Sequence, residues 1–506
     1  MRLISKASAL LAATLALGFA ATAFAADAPA KPDGKPDAKP EAKAASDAFP
    51  AEASAKQTMV LNGKMLSYTA TVGALPVRDE TGKKIAEVVV TTYTLDGPRD
   101  PNRPVTFAFN GGPGAASVYL NFGAIGPKRI PFGAQGETPS DPVRLLDNQG
   151  TWLDFTDLVF IDPVGTGFSR SLVSMDETKK RFWGTKPDIE YLSRIVYDWL
   201  VKNGRLSSPK YVVGESYGGF RGPRITHTLQ TEMGVGVNGL ILVSPLLDGY
   251  SRMDGDVSPL PWMINLPSIA AAQLERTGKL TPQAMAEVEA YTRGEYMLDL
   301  VKGRTDPAAL ERMVGKVSAM TGLDPTFVRR LGGRLETQAY LREVYRDKGE
   351  LASRYDSNVS NYDPFPWSPE QEAGDPLLDM IVAPTTSAAV DFTTRIVGWK
   401  VEGRYAALSS EVGRNWDRGR GPDLESVDDL RMAVALDPKL KVLIAHGWDD
   451  LSCPYFASEL IVDQTPVMGD PNRLRVTAYP GGHMFYSRPD SQGAFRKDVM
   501  ALYGAH

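Results

Sequence analysis

Lys210-Tyr-Val-Val-Gly214-Glu215-Ser216-Tyr217-Gly218-Gly219 is a short apolar run that closes in Gly-x-Ser-x-Gly and leads into a helix-compatible stretch. Read as strand, tight turn and helix, it describes a sharp elbow. Gly214 and Gly218 let the backbone reverse, the serine oxygen is pushed into the open, and the N–H of Tyr217 points toward a reacting oxygen. The bare five-residue pattern is common by chance. The strand before it and the helix after it make Ser216 a candidate nucleophile rather than the cap of a glycine-rich turn.

A serine nucleophile needs a base, and the base needs an acid to orient it. Downstream, Val442–Ala445 runs into His446-Gly-Trp-Asp449-Asp450-Leu-Ser-Cys453-Pro454, an acid-bearing loop at a strand end. Leu474–Ala478 runs into Tyr479-Pro-Gly-Gly-His483-Met484, a histidine on a glycine-rich loop at the next strand end. The chain has only 4 histidines, so each can be weighed. His227 lies about three helical turns beyond Ser216 and points away from it. His446 precedes the acids and packs at a strand terminus, and His506 is the final residue of the sequence. His483 is the expected base, with Asp449 or Asp450 behind it. Serine, acid, histidine is the chain order of an α/β-hydrolase.

The surrounding pattern agrees with that fold. Short apolar runs recur at Val105–Phe109, Leu158–Ile161, Tyr211–Val213, Leu240–Val243, Val442–Ala445 and Leu474–Ala478, which suits strands buried on both faces of a mostly parallel sheet. Between them, Asp188–Asn203 places Ile189, Leu192, Ile195, Val196, Trp199 and Leu200 on one helical face. Alternating strands and helices give an α/β domain with helices flanking the sheet. Ahead of it, Asn62-Gly63 between apolar runs predicts an N-terminal antiparallel hairpin, and Ala86–Leu95 a third strand. Residues 251–425 break the rhythm. They read as a mainly helical insertion or cap (Ala270–Leu300, Pro307–Met320, Arg334–Asp347), dividing the core into 56–250 and 426–506.

The ends and the composition set further bounds. Arg2 and Lys6 precede an apolar stretch from Ala7 to Ala21, and Ala23-Phe24-Ala25 supplies small residues at a cleavage site. Residues 1–25 therefore read as a signal peptide cut between Ala25 and Ala26, and the mature chain as periplasmic or secreted, with no stable membrane insertion after cleavage. Residues 26–55, rich in Ala, Pro and Lys, have little to bury and read as a disordered linker. The net charge of −5 argues against a nucleic-acid partner. With 1 cysteine, Cys453, no intrachain disulfide and no multi-cysteine zinc site can form, and no metal or organic cofactor is implied. Oligomeric state is not legible.

After Val105–Phe109 comes Asn110-Gly-Gly112-Pro-Gly114, then Phe122-Gly-Ala124-Ile-Gly-Pro127; after a further strand comes Asp162-Pro-Val-Gly-Thr-Gly-Phe-Ser169. A glycine-rich loop after an early strand is where such a hydrolase supplies a second oxyanion donor. With Gly214-Glu-Ser-Tyr-Gly-Gly, Gly447-Trp-Asp-Asp-Leu-Ser-Cys and Gly482-His-Met, these blocks make the chain resemble the serine carboxypeptidase family across about residues 105–490. The resemblance implies Ser216 as nucleophile, His483 as base and Asp450, three residues before Cys453, as its orienter. It implies an oxyanion hole from the N–H groups of Gly112 and Tyr217, and a peptide C-terminal carboxylate held by Asn110 and Glu215. Glu215 and a substrate carboxylate must then share a proton, which favours acidic pH.

The chain also departs from the family pattern. Ala124 stands where a second glutamate is usual, Ala108 where a tryptophan is, and Ala115 where a cysteine is. The resulting expectation is an exported, bacterial serine carboxypeptidase-like hydrolase acting on a peptide or small ester through an acyl-enzyme. Competing readings are an esterase or acyltransferase on the same residues, a proline iminopeptidase-like aminopeptidase, and a non-catalytic binding protein of the same fold. Asn110 and Glu215 count against the aminopeptidase.

Overall fold

A computed structural model describes residues 48–98, 100–133, 143–249, 258–368 and 371–504. The expected signal peptide, linker residues 26–47 and His506 lie outside the described residues. Strand β1 (Ala53–Leu61) already begins at Ala53, so three residues assigned to the linker are paired with β2 (Lys64–Arg78). Asn62 and Gly63 both take positive φ, 49° and 76°, which is the two-residue turn that matches strand twist.

The remaining sheet strands are β3 (Lys84–Leu95), β4 (Val105–Phe109), β5 (Asp157–Ile161), β6 (Arg170–Ser171), β7 (Lys210–Glu215), β8 (Gly239–Val243), β9 (Lys441–Gly447) and β10 (Leu474–Tyr479). They lie in the order β1-β2-β3-β5-β4-β7-β8-β9-β10, with β6 paired to β3. From β5 to β10 every neighbour is parallel, while β1, β2, β3 and β6 add antiparallel pairs. This is the α/β-hydrolase architecture. Its central strands are buried on both faces, and alternate residues feed opposite layers. Leu158 and Phe160 of β5 enter one core cluster, and Val159 and Ile161 the other. Edge strand β10 is only half-buried, because it has a neighbour on one side.

Helices α1 (Thr185–Lys202), α2 (Tyr217–Thr231), α3 (Leu260–Arg276), α4 (Pro282–Tyr291), α5 (Pro307–Thr321), α6 (Pro376–Asp391), α7 (Val427–Leu436), α8 (Tyr455–Asp463) and α9 (Pro489–Tyr503) are the longer ones. Faces of α1, α2 and α7 pack on one side of the sheet, and those of α6 and α9 on the other. Fully buried side chains such as Leu192 and Leu200 each contribute roughly 1.5–3 kcal/mol. Among the described residues, no helix is long and apolar enough to cross a membrane.

Two expectations for the insertion need correction. Ala270–Leu300 is not one helix: α3 ends at Thr277-Gly278, where Gly278 has φ 68°, and α4 restarts with Thr281 capping the N–H of Ala284 and Pro282 in the first turn. Arg334–Asp347 shortens to a helix at Thr337–Glu343 and a single turn at Arg346–Lys348. The second half of the insertion is also part of the main core. Phe392 packs 5.8 Å from Tyr93 and 5.4 Å from Phe122, and Trp399 is fully buried beside Phe168.

The strand order reverses direction at β4. The chain steps from β4 to β5 on one side, then crosses through α1 to β7 on the other. At such a reversal the loops leaving the carboxyl ends splay apart and open a crevice.

Candidate active site

Asn110 follows β4, Ser216 follows β7, Asp450 follows β9 and His483 follows β10, so all four stand at the carboxyl ends of parallel strands. Ser216 has φ 60° and ψ −121°, a conformation that costs a non-glycine residue on the order of 1–3 kcal/mol. The elbow is held by its backbone: Ser216 N–H donates to Val243 O at 3.0 Å, and Ser216 O accepts from Gly219 and Leu246 at 2.9 and 3.1 Å. Glycine is required at 214, because a Cβ there would sit 1.9 Å from the Gly218 carbonyl oxygen.

Asp450 is fully buried. Its Oδ1 accepts from the N–H groups of Ser452 and Cys453 at 2.7 and 2.8 Å, and its Oδ2 lies 2.7 Å from His483 Nδ1. That hydrogen bond leaves Nε2 for the cavity that His483 and Ser216 both line. Burial opposes charge on the His483 ring, but the Asp450 carboxylate outweighs it and raises the pKa well above the ordinary histidine value. The loop is fixed by Gly482 N–H to Asp356 Oδ2 at 3.0 Å, by His483 N–H to the Tyr355 carbonyl, and by Ser244 Oγ to His483 O at 2.8 Å. The Tyr355 ring packs edge-on, 5.3 Å from the imidazole.

The other candidates go elsewhere. His446 is buried, with Nδ1 3.1 Å from Cys453 O and Nε2 2.8 Å from Ser458 Oγ; burial pushes its pKa down to about 4. His227 pairs with Asp429 at 3.2 Å on the far part of α2. Asp449, the other acid left open by the sequence, accepts from Asn358 Nδ2 at 2.8 Å and faces away from His483 toward Glu275. Among the described residues, Asp450, Cys453 and His483 form the one group of potential metal ligands, with ligand atoms within 4.8 Å of one another. The Asp450–His483 hydrogen bond already occupies two of those three.

Glu215 is the buried carboxyl beside the serine. Asn110 Nδ2 donates to its Oε2 at 2.9 Å, and Tyr486 O–H reaches Oε1 and Oε2 at 3.0 and 2.9 Å. Burial pushes its pKa up to about 7, against the opposing pull of His483 and of the two hydrogen bonds. Asn110 is itself locked, its Oδ1 accepting from Leu120 N–H at 2.9 Å. Gly112, at φ 96°, holds a backbone that side-chain-bearing residues avoid, and it lines the cavity together with Tyr217. Ala124 is buried, its carbonyl taken by Asn148 and Gln492.

These residues surround one cavity of about 470 Å³. Of the residues named from sequence, it brings together Asn110, Gly112, Glu215, Ser216, Tyr217 and His483, with Asp450 directly behind the imidazole. Sequence reasoning missed Tyr486, the partner of Glu215, and Tyr119, whose buried hydroxyl has no hydrogen-bond partner among the described residues. Tyr119 lies between the two glycine motifs, Asn110–Gly114 and Phe122–Pro127, and belongs to neither. Arg354, in the insertion, carries no motif that could have flagged it.

Residues 93–297 match the family model described as serine carboxypeptidase. That span contains Asn110, Glu215 and Ser216 but ends before Asp450 and His483. Serine carboxypeptidase-like 9 of Arabidopsis thaliana is 29% identical over 31% of this chain and 36% of its own length. Pheromone-processing carboxypeptidase kex1 of Aspergillus niger is 30% identical over 35% of this chain and 27% of its own. The chain thus spans well under half the length of the curated relatives it matches. A prohormone-processing carboxypeptidase of Saccharomyces cerevisiae shares the fold at TM-score 0.54 and 15% identity, over 86% of this chain and 91% of that one. Over residues 93–297 the chain is similar to serine carboxypeptidases, and it shares the fold of one of them.

Proposed function

We propose that this serine carboxypeptidase-like chain releases C-terminal residues from peptides through an acyl-enzyme on Ser216. His483 Nε2 takes the hydroxyl proton as Ser216 Oγ attacks the carbonyl carbon. The oxyanion is met by the N–H groups of Gly112 and Tyr217, and Asp450 stabilises the imidazolium. Collapse breaks the C–N bond, the imidazolium proton goes to the leaving amine, and an ester on Ser216 remains. Water then gives a proton to His483 as its oxygen attacks the ester, and Ser216 leaves with that proton.

The observation that carries the exopeptidase part is Glu215. A buried carboxyl, held by Asn110 and Tyr486 next to the serine and neutral up to about pH 7, donates its proton to a substrate carboxylate instead of repelling it. The sign of the pH dependence follows. As pH rises through about 7, Glu215 ionises and recognition of the free acid is lost, so kcat/KM for a blocked dipeptide falls relative to that for its ester. An ester or amide makes no use of that proton and needs only neutral His483, so its rate rises with pH. The test is kcat/KM for a blocked dipeptide, its amide and its ester from pH 4 to 9, with Ser216→Ala as control, expected to lose about 10⁵–10⁶-fold in kcat. A free-acid profile that keeps climbing with the ester profile would sink the exopeptidase assignment. Ala124 favours a second reading, an esterase or acyltransferase on the same residues, which ester turnover indifferent to the free carboxylate would establish.

We also read residues 1–25 as an export leader, supported by Arg2, Lys6 and Ala23-Phe24-Ala25, delivering the chain to a periplasm or beyond. Protein recovered outside the cytoplasm should begin at Ala26 on N-terminal sequencing; an intact Met1 there would contradict it.

A further inference from the structure

Two arginines, Arg354 and Arg418, line the cavity, and the proposed reaction has no use for either. Three buried arginines elsewhere are paired: Arg221 with Asp188, Arg342 with Asp363, and Arg473 with four backbone carbonyls. Arg354 lines the cavity half-buried, its Nε is shut away from solvent without a hydrogen-bond partner, and it joins no ion pair among the described residues. Arg418 lines the Tyr217 side: Thr185 Oγ1 donates to its carbonyl at 3.2 Å and lies 3.3 Å from the Tyr217 hydroxyl. Among the described residues, the lining's only carboxyl is Glu215, already engaged by Asn110 and Tyr486. A guanidinium with no counter-charge beside it in a substrate cavity is complemented by a carboxylate from the substrate.

Position decides which part of the substrate this is. Arg354 precedes Tyr355, whose ring packs on His483, and both line the same cavity as Glu215. With Glu215 and Asn110 assigned to the α-carboxylate, the side-chain carboxylate of the leaving residue is left for Arg354. We propose that the cavity selects peptides ending in Glu or Asp, with Arg354 as the specificity-determining residue that binds the side-chain carboxylate of the leaving residue. The inference rests on the carboxypeptidase reading.

At pH 6 the substrate's side chain is ionised while Glu215 keeps its proton. There kcat/KM is compared for N-blocked Ala-Glu, Ala-Gln, Ala-Leu and Ala-Lys, and for blocked Glu-Leu beside Ala-Leu. Ala-Glu should exceed its near-isostere Ala-Gln by about tenfold. Arg354→Gln should bring that ratio to about one, and Arg354→Glu should shift preference to Ala-Lys. A wild-type ratio near one, a ratio that survives both substitutions, or selection that follows the penultimate residue and vanishes in Arg418→Gln overturns this inference alone. Cleavage of an ester with no cleavage of any free-acid dipeptide overturns the carboxypeptidase reading, and this inference with it.

Discussion

Asp449 and Asp450 are adjacent and both fully buried, yet their carboxyls meet opposite surroundings. Asp450 collects two backbone N–H groups and the His483 ring. Burial, with Glu275 and Asp356 close by, holds Asp449 well above the usual carboxylate range, and its hydrogen bond goes to Asn358, not to the imidazole. Asp450→Asn should therefore lower kcat about 10⁴-fold, while Asp449→Asn should stay within severalfold of wild type, for dipeptide and ester alike. Equal losses in the two variants would remove the distinction. Residue type and spacing brought the acid down to these two positions and no further. The groups that separate them, Asn358, Glu275 and Asp356, come from the insertion, where no local pattern announces what a side chain will meet.

Among the elements, α1, α2 and the loop after β4 are joined through one side chain. Arg221 of α2, fully buried, donates from Nε to Asp188 Oδ2 of α1 at 2.6 Å and from Nη1 to the Asn110 carbonyl at 2.6 Å. The helix that starts at the nucleophile is thereby pinned to the loop bearing Asn110 and Gly112. Arg221→Met leaves a buried carboxylate unpaired and should cost about 3–5 kcal/mol, read as a lower urea midpoint. Adding Asp188→Asn removes the stranded charge, so the double variant should lose less than Arg221→Met alone; additive losses would mean that packing, not charge, dominates. The strands of this region were readable because a strand buried on both faces must be apolar throughout, as Val105–Phe109 and Gly239–Val243 are. Helix ends were harder. Periodicity ran on from Ala270 to Leu300, whereas the breaks depend on a single left-handed Gly278 and a cap at Thr281.

Across the whole molecule, the insertion is tied to the hydrolase core by polar as well as apolar contacts. Phe49 onward forms one compact unit, in which α3–α5 and the Thr337–Glu343 helix build their own cluster, sealed against the core through Leu451. Arg488, five residues beyond His483, sits at the junction: Nη2 meets Asp356 Oδ2 at 2.6 Å, and Nη1 is bonded to Glu275 of α3. Asp356 in turn accepts from Gly482 N–H, so the charge on Arg488 steadies the loop that presents the imidazole. Periodicity could mark the insertion as helical but could not reveal this link, because its members are scattered over residues 275, 356, 449 and 488. Arg488→Met strands two acids in the interior and should cost about 3–5 kcal/mol at pH 8. The sign of its pH dependence is fixed. Without the guanidinium the folded-state pKa values of Asp356 and Glu275 rise, so the variant takes up protons on folding at lower pH and its deficit shrinks as pH falls. Urea midpoints of wild type and variant at pH 5 and pH 8 should therefore converge toward pH 5. A gap independent of pH would assign Arg488 to packing alone, whereas a converging gap with impaired ester turnover at pH 8 would tie the carboxylate cluster to the placement of His483.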